Sequence, residues 1–240
     1  MSNLDRLWDW VSQRNDGRTV GGSASSVLVI GLGRFGTALA STLVDMELEV
    51  MAIDTDQLLV NQWADRLTHV RVADGTSAAA LGQIGASGFD VAVVAIGTDI
   101  EASILSVSAL ADIGVHNIWA KAITSEHGRI LERVGAHHVV YPEAQMGQRV
   151  AHAVSGQVLD YFILDEGFVL AELNAPPDLL GKTLAEADLR RDFAVTVVCV
   201  KPLGGSFTYA TADTVLGEGD LVLVAGTVSD TERFARFAAG

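Results

Sequence analysis

From Ser26 to Tyr141 short apolar runs alternate with segments whose apolar residues recur every three or four positions. The runs Val27–Ile30, Val50–Ile53, Val70–Val72, Val91–Ile96, Ile118–Ala120 and Val139–Tyr141 predict strands, because a strand covered on both faces reads as a continuous apolar stretch. Between them Phe35–Asp45, Gln57–Ala64, Ala78–Ile84, Ile100–Ile113 and Glu126–Val134 predict helices with one apolar face. Six strands joined by five helical crossovers predict an α/β domain, a doubly wound parallel sheet of Rossmann type.

Beyond Pro142 the segment Ala144–Val158 places Met146, Val150, Val154 and Val158 four apart, which predicts a connecting helix. The pattern then changes. Phe168–Leu173, Val195–Val200 and Leu221–Val224 alternate as strands do, with helical stretches near Leu184–Leu189 and Asp230–Phe237. Pro176-Pro177, Gly204-Gly205 and Gly217-Glu218-Gly219 mark the turns, so the chain from Asp160 to Gly240 predicts a small α+β domain. At the other end Leu4, Leu7, Trp8 and Val11 have helical spacing and precede a Gly/Ser-rich linker, Gly17–Ser26. That helix either lies on its own domain or, through Trp8 and Trp10, docks on a partner. The expected organisation is a tail over 1–24, a nucleotide-binding domain over 25–142, a crossover helix over 143–159 and a ligand-sensing domain over 160–240.

Composition narrows the partners. No apolar run approaches the ~20 residues a spanning helix requires, and Met1–Val11 lacks the basic and apolar regions of a signal peptide, so a cytoplasmic location is expected. Sixteen basic against thirty acidic residues give a net charge of −14, which disfavours nucleic acid and anionic lipid. The single cysteine, Cys199, lies in an apolar run and reads as a buried small hydrophobe without the electropositive setting of a reactive thiolate.

The chemistry concentrates at the ends of the expected strands. Gly31-Leu32-Gly33-Arg34-Phe35-Gly36 follows the first strand and opens a helix. Gly31 permits the tight turn, Gly33 lets backbone approach a pyrophosphate, Gly36 lets helix and sheet pack, and the helix N-terminus offers N–H groups to the anion. Asp54, 18 residues after Gly36, ends the second strand where an acid accepts hydrogen bonds from ribose hydroxyls. Thr55 follows it at the same edge. An acid there repels a 2′-phosphate, which disfavours NADP. Arg34 in the glycine loop and Lys121 at the end of the fifth strand either face the crevice, implying more negative charge than one pyrophosphate carries, or are exposed loop charges. Glu143, just past the sixth strand, is placed to hold a divalent cation that bridges phosphates. The segments Asp74-Gly75-Thr76 and Ala95-Ile96-Gly97 end the third and fourth strands, where such folds flank adenine and ribose; Asp74 either bonds the base or serves as a turn or cap residue.

Other chemistry is not encoded. There is no Gly-x4-Gly-Lys-Ser/Thr loop for phosphate hydrolysis and no Ser/His/Asp or Cys/His relay. His137 and His138, adjacent in a strand, point to opposite faces, and His116, His127 and His152 read as surface residues. Binding without catalysis is the inference. The competing class is an NAD-dependent oxidoreductase whose substrate half is Asp160–Gly240.

Val29-Ile30-Gly31-Leu32-Gly33-Arg34-Phe35-Gly36, Ala95-Ile96-Gly97, Asn117-Ile118-Trp119-Ala120-Lys121-Ala122, Gly135-Ala136, Pro142-Glu143 and Met146-Gly147, in that order, resemble the RCK (KTN/TrkA-type) regulators of K⁺ channels and transporters, most of all the KtrA-type subunits. Gly181-Lys182-Thr183-Leu184, Leu189-Arg190 and Gly219-Asp220 resemble, more loosely, the family's smaller C-terminal domain. The resemblance implies that ATP or ADP is bound, with Arg34 and Lys121 on the phosphates, Asp54 on the ribose and Glu143 on Mg²⁺ or another cation at the γ-phosphate; NAD or NADH in a TrkA-like sensor is the alternative. It also implies homodimers swapped through Ala144–Val158 and assembled into an octameric ring. That ring would sit at the inner face of the membrane under a K⁺-translocating subunit of KtrB/TrkH type. By position after Leu189, Arg190 matches an arginine that binds cyclic di-AMP in related proteins.

Overall fold

The computed structural model describes residues 24–154, 158–165 and 167–239 of the 240-residue chain. The expected helix around Leu4–Val11, with Trp8 and Trp10, lies outside them. The chain divides into two compact units, the first ending at Pro142 and the second beginning at Glu143.

The first unit carries β1 (Ser26–Ile30), α1 (Arg34–Asp45), β2 (Glu49–Asp54), α2 (Gln57–Trp63), β3 (His69–Val72), α3 (Ala78–Gln83), β4 (Val91–Val94), α4 (Ile100–Asp112), β5 (Ile118–Lys121), α5 (Ser125–Val134) and β6 (His138–Val140). The sheet order is β3-β2-β1-β4-β5-β6, and every pair is parallel. Successive side chains of a strand point to opposite faces, so β1 feeds two cores. Leu28 and Ile30 pack with Ile53, Val94, Leu110 and Leu131 on one face, and Val27 and Val29 with Leu43, Val50, Ala52 and Val60 on the other. Each fully buried Val, Leu or Ile among them contributes about 1.5–3 kcal/mol. Chain order reverses between β1 and β4, and there the carboxyl ends of the strands open a crevice.

Apart from the end of β4, the element ends of this unit fall within one residue of the hydrophobic pattern. The larger difference is in β4, which stops at Val94 rather than Ile96. Ala95 makes one more bond, its N–H donating to Ile30 O at 2.8 Å, and Ile96 and Gly97 then turn away from the ladder. At the opposite edge Asp90 fastens the entry to β1. Its Oδ2 accepts from the backbone N–H and the hydroxyl of both Ser25 and Ser26. These bonds, the Ser25 N–H first among them, pull its pKa down to about 2.

The second unit holds all but the first residue of α6 (Pro142–Val154), followed by β7 (Asp160–Asp165), β8 (Phe168–Asn174), α7 (Leu184–Ala187), α8 (Leu189–Phe193), β9 (Thr196–Lys201), β10 (Thr208–Tyr209), β11 (Leu221–Thr227) and α9 (Val228–Ala239). The sheet β10-β9-β11-β8-β7 is antiparallel throughout. Val169, Leu173, Val200, Val222 and Phe234 centre its core. Three expectations are corrected here. Val158 is not the last turn of the connecting helix; it is buried in this core. The single helix expected at Leu184–Leu189 is two, broken at Asp188, whose φ of 40° is left-handed. Cys199 is half-buried rather than buried. The strands β7 and β10 were not evident from periodicity, being an edge strand of apolar run and a two-residue ladder.

Helix α6 buries no side chain and exposes Met146, Val150 and Val154 along one stripe. It is tied to β7 by polar contacts instead. The Arg149 guanidinium forks onto Asp160, Nε to Oδ1 and Nη2 to Oδ2 at 2.6 Å each, and lies over the Phe162 ring, 4.6 Å from its centroid. His152, expected at the surface, is half-buried and stacks on Tyr161 with centroids 3.9 Å apart. The hydrogen bond from Arg149 holds the Asp160 carboxyl below its usual pKa. A depressed carboxyl adds stability above the ordinary carboxylate range and loses it as pH falls through the folded-state value. Arg149 is 42% exposed, so solvent screening limits the gain. Asp160→Asn is expected to lower stability by about 1 kcal/mol at neutral pH, with parent and variant converging below about pH 4 in urea unfolding.

Candidate nucleotide-binding edge

The glycine turn is built by three different constraints. Gly31 leaves β1 with φ +102°, a conformation that side chains rarely adopt, and its N–H donates to Ile53 O at 2.8 Å. Gly36 lies so close to the turn that a Cβ would come within 1.9 Å of the Gly31 carbonyl oxygen and 3.1 Å of the Ala95 Cβ. Gly33 has ordinary backbone angles, φ −68° and ψ −175°, and a Cβ there would meet nothing within 4 Å. The first two glycines are thus required by the fold and the third leaves room for something else. Among the described residues no side chain caps α1, and its first turn carries no acid, which leaves the N-terminus suited to an anion.

Asp54 ends β2 and reaches back to this turn. Its Oδ2 accepts from Leu32 N–H at 2.7 Å and its Oδ1 from Asp56 N–H at 2.9 Å. Each oxygen retains a further lone pair, so a ribose hydroxyl can be held without breaking the link. Thr55, next in the bend, is exposed. After β3, Asp74 turns on its own loop: Oδ1 accepts from Thr76 N–H at 2.9 Å and Thr76 Oγ1 at 2.7 Å. The Thr76 hydroxyl, then its N–H, lowers the Asp74 pKa. Gly75 fits against the end of β1, where a Cβ would lie 2.4 Å from Ile30 Cγ2.

The turn after β4 closes over the glycine turn. Ile96 Cγ1 would lie 3.2 Å from a Cβ on Gly31, and Asp99 caps α4 by accepting from Ala102 N–H at 2.9 Å. Lys121 at the end of β5 is buried, 8% exposed, rather than a loop charge in solvent. Its side chain runs along Gly97, and its Nζ lies 5.7 Å from the centre of the Phe35 ring. Phe35, Gly97 and Lys121 come from three separate segments and form one cluster. Arg34, in the first turn of α1, is exposed.

Two of the expected site residues belong to the second unit. Glu143 stands in the first turn of α6 and belongs to the second unit. Arg190, also there, lines a cavity of about 390 Å³ with Leu184, Asp188, Thr196, Ala210 and Thr211, and its Nε donates to Thr196 Oγ1 at 3.0 Å. His127 corrects an expectation. Placed at the surface by its polarity, it is 2% exposed; its Nδ1 accepts from Ile123 N–H at 3.5 Å, and its Nε2 has no partner among the described residues. Burial pushes its pKa down. Its spacing to Leu131 and Val134, four and seven residues on, is the sequence signal that puts it on the inner face of α5.

The glycines give a direct stability test. Gly36→Ala is expected to cost about 3 kcal/mol, because the clash is with backbone that cannot swing aside. Gly33→Ala should stay within about 0.5 kcal/mol of the parent in urea unfolding.

The TrkA-N domain model matches residues 27–142 and the TrkA-C domain model residues 168–239. The chain is 39% identical over 209 residues to Ktr system potassium uptake protein C of Bacillus subtilis (strain 168), spanning 87% of this chain and 95% of that protein. To Ktr system potassium uptake protein A of the same organism it is 33% identical over 207 residues, spanning 86% and 93%. Two GsuK structures share the fold: the RCK domain, with a TM-score of 0.63 at 19% identity over 97% of this chain and 52% of that one, and the channel bound to NAD, with 0.63 at 20% over 98% and 43%. With a Rossmann-type parallel sheet followed by a small antiparallel one, and near full-length identity above 30%, the chain belongs to the family of Ktr system potassium uptake proteins, built of a TrkA-N and a TrkA-C domain.

Proposed function

We propose that this chain is a cytoplasmic regulatory subunit that senses ATP and ADP and gates a membrane K⁺-translocating subunit of KtrB/TrkH type. The observation that carries this reading is the meeting of Lys121, Phe35 and Gly97 beside the open glycine turn, with Arg34 opening the adjoining helix. A pyrophosphate is held by the turn and the helix N-terminus alone. Two further cations suit a ligand with more phosphates. Asp54, on both the turn and the ribose edge, would orient the nucleoside. Membership among potassium uptake proteins supplies the physiological setting.

The role is binding with a mechanical consequence rather than turnover. Protomers would pair through α6, whose exposed Met146, Val150 and Val154 suit a partner surface, and the pairs would close into an octameric ring. ATP and ADP then favour different ring shapes only if each binds them with different affinity, so the sensing groups must be those that meet the extra phosphate. Glu143 would hold Mg²⁺ or another cation at the γ-phosphate. In the second unit the cavity that Arg190 lines would take a second anionic ligand such as cyclic di-AMP.

An NAD(H) sensor is the second reading, favoured by Asp54, which accepts ribose hydroxyls of either ligand. Calorimetric titration with ATP, ADP, NADH and NAD, with and without Mg²⁺, separates the two. Arg34→Ala and Lys121→Ala are each expected to weaken ATP about tenfold or more, about 1.4 kcal/mol, while changing NADH by less than about threefold. Tighter binding of NADH, with ATP indifferent to both substitutions, would replace the triphosphate reading by the dinucleotide one.

A further inference from the structure

We infer that Gly97 and Phe35 are positioning residues, which fix where the Lys121 ammonium stands at the phosphate edge and so set the preference for ATP over nucleotides with fewer phosphates. The inference rests on the triphosphate reading above and adds residues that act through another. The reason Gly97 is glycine is not conformational, because its φ lies outside the left-handed region that alanine avoids. Nor is it core packing, as it is for Gly75, or backbone approach, as for Gly36. The three atoms nearest to a Cβ at Gly97 would all belong to Lys121: Nζ at 2.8 Å, Cε at 3.1 Å and Cδ at 3.5 Å.

That contact has a particular physical character. The atom closest to the added carbon is the far end of a flexible side chain, so the variant folds and the ammonium moves. On its other side the ammonium is held by the Phe35 ring face at 5.7 Å, within the range of cation–π attraction. Lys121 is 8% exposed, so its stem has little freedom to compensate. A charge-assisted N–H···O bond needs a separation of about 2.7–2.9 Å, and a displacement of about 1 Å is enough to lose it. Glycine after β4 and phenylalanine in the glycine loop therefore act as the two walls of a slot for one charged group.

The test is a double-mutant cycle on the full chain, reading ATP and AMP affinity by calorimetry for the parent, Gly97→Ala, Lys121→Met and the double variant. Gly97→Ala is expected to weaken ATP about tenfold and AMP by less than about threefold, and the double variant to bind ATP no more weakly than Lys121→Met. Phe35→Leu, which keeps an apolar side chain but removes the ring face, is expected to weaken ATP about threefold and serves if Gly97→Ala is poorly folded. If Lys121→Met weakens ATP while Gly97→Ala and Phe35→Leu do not, the positioning inference is overturned and the triphosphate reading stands. Losses that multiply in the double variant overturn it too, because Gly97 would then act on the nucleotide directly. If Lys121→Met leaves ATP unchanged, the triphosphate reading fails and the inference with it.

Discussion

Asp54 Oδ2 accepts the Leu32 N–H at 2.7 Å, and through that bond the end of β2 holds the turn that β1 makes into α1. A hydrogen bond to a charged acceptor contributes about 1.5–3 kcal/mol, enough to keep a loop of small residues in one shape before any ligand arrives. The consequences spread outward. Gly31 is fixed in its left-handed turn with Gly36 against its carbonyl. The helix N-terminus is thereby aimed over the switch point, and the Ala95–Gly97 turn is laid against it. In the proposed function the same carboxylate that stiffens the turn would also hold the ribose of the nucleotide, coupling structure and specificity at one residue.

The parallel sheet was legible in the sequence because both of its faces are buried, which makes each strand an uninterrupted apolar run between helical patterns. Val91–Ile96 overran β4 for the same reason: Ala95 and Ile96 are apolar because they pack on Gly36 and Gly31, after the ladder has ended. The second unit was less legible. β7 lies at a sheet edge and β10 has two residues, too short for period-two alternation to emerge. Val158 continued a four-residue spacing by coincidence and is buried elsewhere.

The candidate site was legible as positions and not as contacts. Gly31, Asp54, Gly97 and Lys121 stand at or just past strand ends, and Gly36 in the first turn of the helix after β1, which topology brings to one edge. Which of them touch depends on side-chain reach, and periodicity carries no information about that. Lys121 runs inward along Gly97 to Phe35, Asp74 curls onto Thr76, and His127 turns into the sheet face of α5. A polar residue type suggested the surface for His127, and neighbouring packing overrode it.

In the proposed function, occupancy of the β1–β4 crevice by ATP or ADP changes what a membrane subunit conducts. A ligand shifts such an equilibrium only by its differential affinity for the two shapes, and a tenfold difference is worth about 1.4 kcal/mol. The most direct measurement is K⁺ flux through the cognate membrane subunit in liposomes, with the purified protein added in nucleotide-free, ADP-loaded or ATP-loaded form. Flux is expected to differ by about threefold or more between the ATP and ADP forms, and the difference to disappear with Lys121→Ala. Equal flux with ATP, ADP and no nucleotide, with the protein bound to the liposomes, would contradict it.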